Sequence, residues 1–190
     1  MGQANITSLL NNYRKGREGA DNELYSAVYS ELKKTARSVR RQWNGNATMN
    51  TTSLVHEAYL KIDPEKVDWQ NRLHFFYIAG KAMRQILYNY AEKKKALKRG
   101  AANKQSMDAK EEGLVIAIDE KSFFEIYSLE NILKQLEKHD NVYGKIIECR
   151  FYSGMTIEET SLVLEISKAT VKRKWNFART WLYRELKRTS

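Results

Sequence analysis

The sequence predicts an all-α protein made of two small helical domains joined by a flexible acidic linker. Its 190 residues include one proline and nine glycines, so few residues interrupt helices. Apolar residues recur at the spacing of an α-helix, and the alternation typical of strands is scarce. This helical period is lost over residues 101–121. We therefore place one domain at residues 1–100 and the other at 122–190. The acidic residues of the linker are Asp108, Glu111, Glu112, Asp119 and Glu120.

The charge balance indicates a polyanionic partner. Thirty-three basic residues against 23 acidic ones give a net charge of +10, and nucleic acid is the most common partner of such a protein. A membrane-surface protein is a weaker alternative, because the basic segments lack a bulky apolar face free for lipid. The single cysteine, Cys149, suits the reducing cytosol. There is no signal-peptide pattern and no apolar run long enough for a bilayer, so we expect a cytoplasmic protein without a membrane anchor.

Three helices are predicted before residue 63. The first runs from Ile6 to about Arg17, and the second from Asp21 to about Trp43. The third opens at Thr51 or Thr52. The second helix has an apolar stripe at helical spacing, formed by Leu24, Val28, Leu32, Ala36 and Val39.

The longest helical pattern extends from Asn71 to about Lys95, after a loop that carries Trp69. Polar and aromatic residues lie off its apolar band. Interleaved cations and aromatic rings suit melted single-stranded DNA, where stacking of a base on a ring contributes about 1–3 kcal/mol. Most aromatic rings of this helix are expected in the core, and Trp69 is as well explained as a core residue. The off-band residues include Lys81, Arg84, Gln85 and Tyr88.

The C-terminal domain is predicted to hold four helices. Ser122 and Glu125 form the pattern of a capping box, which begins the first. The second covers Val142 to Tyr152. Thr156 and Glu159 form another capping box, which begins the third.

The last two helices form a helix-turn-helix pattern. The third helix ends near Leu164, Glu165 and Ile166 make the turn, and Ser167 caps the last helix. An apolar stripe of Val171, Trp175, Ala178 and Leu182 would bury one side of that helix, and its other side is cationic. Such a helix suits the major groove of DNA. The alternative is an amphipathic surface helix whose lysines only keep the protein soluble. The candidate DNA contacts are Ser167, Lys168, Ala169, Thr170, Lys172, Arg173, Lys174, Asn176 and Arg179.

The stretch from Ser167 to Arg173, with Ala178, Arg179 and Leu182, resembles the promoter-reading helix-turn-helix of bacterial sigma factors. The small extracytoplasmic-function (ECF) group of the sigma-70 family fits best. The turn departs from the family, since Glu165 stands where glycine is usual, and a positive φ there would be strained. Further departures are Thr160, Ser161 and Phe177.

The resemblance implies a protein that binds RNA polymerase core and directs it to promoters. The C-terminal domain would read the minus-thirty-five element, and the N-terminal domain would bind core and melt the minus-ten element. It also implies partners such as an anti-sigma factor or another recruiting protein. The implied minus-ten contacts are Trp69, Gln70, Asn71, His74, Lys81, Arg84, Gln85 and Tyr88. The implied core contacts are Ser53, His56, Glu57, Leu60 and Lys61.

No catalytic constellation is recognisable in the sequence. The three histidines are scattered, and no glycine-rich phosphate loop or nucleophile elbow is present. We therefore expect no enzyme, no cofactor and no metal. The alternative function is a stand-alone helix-turn-helix regulator that binds duplex DNA without polymerase. Such regulators usually dimerise, but no dimerisation helix is evident.

Overall fold

The computed structural model describes residues 5–42, 51–62, 67, 70–101 and 120–189. Every regular element in these residues is helical, which confirms the all-α prediction. A π-helical segment, Glu148–Tyr152, directly continues the sixth helix. The predicted linker falls almost entirely on residues 102–119, outside the described residues. The helices are α1 Ile6–Arg14, α2 Ala20–Gln42, α3 Thr51–Lys61, α4 Arg72–Ala101, α5 Glu120–His139, α6 Asn141–Ile147, α7 Ile157–Leu164 and α8 Lys168–Thr189.

Helices α1 to α3 form close to their predicted positions. The helix α1 ends at Arg14, three residues before the predicted end, and Gly16 then adopts a left-handed conformation with φ 65°. The predicted stripe of α2 is buried at Leu24, Val28, Leu32 and Ala36. Val39 lies in α2, but its side chain is outside the described ones. Local turn chemistry and helical periodicity therefore account for this part of the fold.

The helix α4 is the longest element and is covered on two sides. Asn71 precedes it, and the side-chain oxygen of Asn71 accepts a hydrogen bond from the backbone N–H of His74 at 3.0 Å. The helix contacts α2 and α3 on one side, and α5, α7 and the π-helical segment on the other. Phe75 is fully buried although it lies outside the predicted apolar band. A single amphipathic stripe underestimates a helix that packs on two sides.

The C-terminal helices surround a second set of buried side chains. Asp140 separates α5 from α6, and its carboxylate accepts a hydrogen bond from the backbone N–H of Val142 at 2.8 Å. The helix α5 begins at Glu120, two residues before the predicted capping residue Ser122. Helices α5, α6 and α8 pack against one another, and α7 packs against α8. The buried residues of this group include Leu129, Ile132, Leu133, Leu136, Ile146 and Ile147.

The connection between α7 and α8 has the predicted local structure. Both hydrogen bonds of the Thr156 and Glu159 capping box are formed, at 3.1 and 2.8 Å. Ser167 Oγ accepts from the backbone N–H of Thr170 at 3.1 Å and caps α8. Glu165 ends α7 in the left-handed region, with φ 53° and ψ 39°. Among the described residues it is the one non-glycine residue with a positive φ.

The two groups of helices share one buried apolar cluster, which extends from Ile6 and Leu10 in α1 to Ala178 in α8. The helix α4 joins them, since Met83 and Leu87 belong to the same cluster as Leu133 and Leu136 of α5. None of the described helices has both the length and the apolar character needed to cross a membrane.

We predict that Glu165→Gly stabilises the protein. A residue with a side chain costs roughly 1–2 kcal/mol in the left-handed region, and the greater freedom of glycine in the unfolded chain offsets part of that gain. The expected net change is a rise of about 0.5–1 kcal/mol in the free energy of unfolding. Thermal or urea denaturation measures it. Glu165→Ala is the matched control, because alanine keeps the Cβ atom and should bring no gain.

Candidate nucleic-acid interface

The helix α8 presents a cationic face to solvent. Val171 and Ala178 are fully buried, which fixes the rotation of the helix about its axis. The opposite side therefore points outward, as the sequence predicts. The exposed residues on it are Lys168, Ala169, Lys172, Arg173, Asn176 and Arg179.

Lys174 and Thr170 have local partners instead. The Lys174 ammonium pairs with the carboxylate of Asp140 and lies 4.5 Å from the ring centroid of Tyr143. The hydrogen bond from Lys174 is the largest cause of a lowered pKa at Asp140. The hydroxyl of Thr170 lies 2.9 Å from that of Ser167, within the cap of α8. Lys174 thus fastens α8 to the start of α6, while its neighbours face outward.

Trp175 is only partly buried, although the sequence predicts it in the buried stripe. The guanidinium of Arg150 lies 5.4 Å from the centroid of its ring, and the ring packs at the edge of the core. Leu182 is also partly buried. The stripe is therefore fully buried only at Val171 and Ala178. Truncating Trp175 should cost less than the truncation of a fully buried ring.

The residues predicted to meet the minus-ten element fall into two groups. Gln70 and Asn71 are exposed before α4, with Asn71 capping the helix, and Trp69 lies outside the described residues. His74 follows in the first turn, where its ring nitrogen Nδ1 lies 3.5 Å from the backbone nitrogen of Gln70. The second group lies further along α4, at spacings of three and four residues on one face. It consists of Lys81, Arg84, Gln85 and Tyr88.

Arg84 lies inside a cluster of three glutamates. Its Nε and Nη2 atoms donate to the two carboxylate oxygens of Glu130, both at 3.0 Å. Its Nη1 atom donates to Glu137 at 2.8 Å and to Glu148 at 3.0 Å. The Arg84 side chain is 11% exposed, and those of Glu130 and Glu148 are 9% and 10% exposed. Burial opposes the charge of Arg84, but the bonds to Glu130 and Glu137 outweigh it and raise the pKa of Arg84.

Neighbouring residues extend this contact between α4 and the C-terminal helices. Tyr77 donates a hydrogen bond to Glu148 at 3.2 Å, and burial, followed by the charge of Glu148, raises the pKa of Tyr77. The Lys134 ammonium bonds to the hydroxyl of Tyr88 at 2.6 Å and lies 4.0 Å from the centroid of that ring. Lys81 and Gln85 remain exposed. They border a cavity of about 240 Å³ that is lined by Lys81, Arg84, Gln85, Tyr88, Glu130, Glu137 and Glu148.

The sequence analysis missed the three glutamates as partners of Arg84. A weak signal existed in α5, where Glu130, Lys134 and Glu137 share one face at helical spacing. That spacing does not identify the partner, however, because Arg84 is 46, 53 and 64 residues from Glu130, Glu137 and Glu148.

The residues predicted to contact polymerase core lie mostly on the outer side of α3. Leu60 is 70% exposed, an unusual position for a leucine on a short helix. His56 and Lys61 are exposed, Glu57 is partly buried, and Ser53 is buried. On the inner side, Leu54 and Ala58 are fully buried. Tyr59 packs at the edge and donates a hydrogen bond to the carbonyl of Asp21 at 2.8 Å.

The described part of the chain contains no group of three or more histidine, cysteine or acidic residues able to hold a metal ion. The glutamates around Arg84 are neutralised by its guanidinium. Cys149 is fully buried, and this burial, with the charge of Glu148, raises the pKa of its thiol to about 12.

Residues 3–188 match the family model of the ECF sigma factors. Because this match covers nearly the whole chain, the protein belongs to the ECF sigma factor family. It therefore has a sigma factor's role in transcription initiation, and this family is not a class of enzymes. Searches of curated proteins and of solved structures give no significant match.

We predict that Lys174 and Lys172 differ in what they support. Lys174→Ala removes a pair with Asp140 and should lower the free energy of unfolding by about 1 kcal/mol. The carboxylate of Asp140 has a lowered pKa, so its stabilisation is present at neutral pH. It is lost as the pH falls through that lowered value. The difference between wild type and Lys174→Ala should therefore shrink in acid.

Lys172→Ala is the matched control for this prediction, since it removes the same charge from the exposed face two residues away. Its unfolding should follow that of the wild type at every pH, whereas its affinity for duplex DNA should fall. Equal stability losses in the two variants would contradict the assignment. Denaturation curves and fluorescence anisotropy supply the two measurements.

Proposed function

We propose that this protein binds RNA polymerase core and directs it to specific promoters. Helices α7 and α8 act as a helix-turn-helix that reads the minus-thirty-five element, and α3 and α4 bind core and open the minus-ten element. This assigns the two activities to residues 1–100 and 122–190, joined by the linker 101–121. The observation that carries the proposal is the family match over residues 3–188, together with the exposed cationic face of α8.

The geometry of α8 supports the role in DNA recognition. Its first turn is capped by Ser167 and anchored by Val171, so the outward residues have a fixed orientation. Lys172 and Arg173 lie near the N-terminal end, where a recognition helix enters the major groove. Arginine and lysine bind guanine edges as well as phosphates, so both base reading and attachment are served by this face.

The outer side of α3 supports the role in polymerase binding. An exposed leucine beside charged residues is typical of the centre of a protein interface. Leu60 provides this apolar contact, and Glu57, one turn earlier, provides a charge on the same face. The proposed partner is the catalytic part of RNA polymerase in the cytoplasm. An anti-sigma factor or a recruiting protein is a further proposed partner, and no cofactor is required.

Promoter-directed transcription should be lost when the charge of the α8 face is reversed. In Lys172→Glu with Arg173→Glu, two phosphate and base contacts become repulsive, and each lost base contact costs roughly 1–3 kcal/mol. Binding to polymerase core should stay intact, because these residues lie on α8 and not on α3. Run-off transcription and co-purification measure the two activities, and loss of core binding would contradict the division of labour.

Charge reversal at Glu57 should weaken binding to polymerase core. Like charges placed at an interface raise the dissociation rate, and the expected loss of affinity is about tenfold or more. Glu18→Lys, an exposed change of the same charge outside α3, is the control. Unchanged core binding of Glu57→Lys would reject this face.

The function as a whole is tested by purification of the tagged protein from a bacterial extract. The polymerase catalytic subunits should co-purify with it. A protein that ignores polymerase and binds duplex DNA as a symmetric pair would be a stand-alone regulator instead.

A further inference from the structure

The proposed minus-ten face of α4 is covered by the C-terminal helices in this structure. Arg84, the central cation of that face, bonds to Glu130 and Glu137 of α5 and to Glu148 of the π-helical segment. Tyr88, one turn further on, is held by Lys134 of α5. Carboxylates thus take the place that DNA phosphates or bases would need, and they would repel an approaching strand.

A second contact, one turn before Arg84, brings α4 close to the same segment. A Cβ atom added at Gly80 would lie 2.1 Å from Ser153 Oγ and 3.1 Å from the backbone nitrogen of Ser153. Ser153 follows the π-helical segment, and its hydroxyl donates to the carbonyl of Glu148 at 2.9 Å. The missing side chain at Gly80 therefore permits the approach that places Glu148 beside Arg84.

This packing also holds the two proposed promoter-reading surfaces close together. The helix α5 contacts both α4 and α8, so two helix packing distances of about 8–10 Å each separate their axes. The minus-ten and minus-thirty-five elements are about 25 base pairs apart, which is roughly 85 Å of duplex at about 3.4 Å per base pair. One chain cannot reach both elements while α4 and α5 stay packed.

We propose that the free protein is autoinhibited by this packing, which we call the closed state, and that binding of polymerase core opens it. The Arg84 cluster and the Gly80 contact form the latch. Opening separates α4 from α5 and the π-helical segment, exposes Lys81 and Arg84 to DNA, and frees the two surfaces to move apart. The proposal rests on the proposed function in naming polymerase as the opener, whereas the latch itself is testable without polymerase.

The chain contains its own reporter of opening. Cys149 is the single cysteine, it is fully buried, and its neighbour across the contact is Tyr77 of α4, whose pKa it helps to raise. In the closed state, a maleimide dye should label this thiol slowly. Separation of α4 from the π-helical segment uncovers the thiol, so the labelling rate of the native protein measures opening.

The first experiment compares labelling rates of the full chain. Gly80→Ala favours helix α4 itself but collides with Ser153, so labelling should become about tenfold faster. Gly80→Ala with Ser153→Gly removes the colliding Oγ and Cβ atoms, and the slow rate should return. Arg84→Met should also accelerate labelling, because it leaves Glu130 and Glu148 buried without their cation. Glu23→Gln, a charge change in an exposed pair on α2, is the control and should label at the wild-type rate.

Circular dichroism separates opening from unfolding. Fast labelling of Gly80→Ala with full helical content and rescue by Ser153→Gly supports the latch. Fast labelling that is not rescued, or wild-type labelling in both Gly80→Ala and Arg84→Met, overturns it.

The second experiment measures what the latch masks. The probe is a fluorescein-labelled oligothymidylate of about 20 nucleotides, a single strand without promoter sequence. All proteins carry Lys172→Glu and Arg173→Glu, so α8 contributes little affinity. Gly80→Ala should bind the probe about tenfold more tightly at low salt, with rescue by Ser153→Gly. Equal affinity of all three proteins would show that α4 is not masked.

Addition of polymerase core distinguishes the two levels of the proposal. Core should accelerate the labelling of wild-type Cys149, and a core that binds without changing the rate would overturn the assignment of polymerase as the opener. If the chain does not bind core at all, the proposed function fails. The Gly80 and Ser153 results would still decide the latch.

Discussion

A buried arginine determines how the helices of this protein are arranged. Removing a guanidinium from water is unfavourable unless hydrogen bonds and opposite charges replace the water. Arg84 meets this requirement with four hydrogen bonds to three glutamates. These glutamates belong to α5 and the π-helical segment, so satisfying Arg84 requires the C-terminal helices to pack on α4. The common apolar cluster that joins both groups of helices lies behind this contact.

The other cations of the protein show the opposite arrangement. Lys172, Arg173 and Arg179 stay in solvent on α8, because the buried positions Val171 and Ala178 rotate them outward. Lys174 is the exception on that helix, since Asp140 is within reach. The position of a cation relative to the buried residues therefore decides whether it stabilises the fold or remains available to DNA.

Much of the fold and part of the candidate site were predictable from local patterns. The capping box at Thr156, the cap at Ser167 and the cationic face of α8 depend on residues within four positions of one another, and a helix repeats at that range. The left-handed residue at Glu165 followed in the same way. Phe75 and Trp175 were less predictable, because the burial of a ring depends on which helices pack over it.

The sequence by itself determined the helices, their caps, the excess positive charge and the membership in the ECF sigma factor family. Only the tertiary structure decided that Arg84 faces glutamates rather than solvent, that Lys174 is held by Asp140, and that Gly80 admits Ser153. The physical reason is range. Helical periodicity and capping act over one turn, whereas the partners of Arg84 lie 46 to 64 residues away and are brought to it by packing.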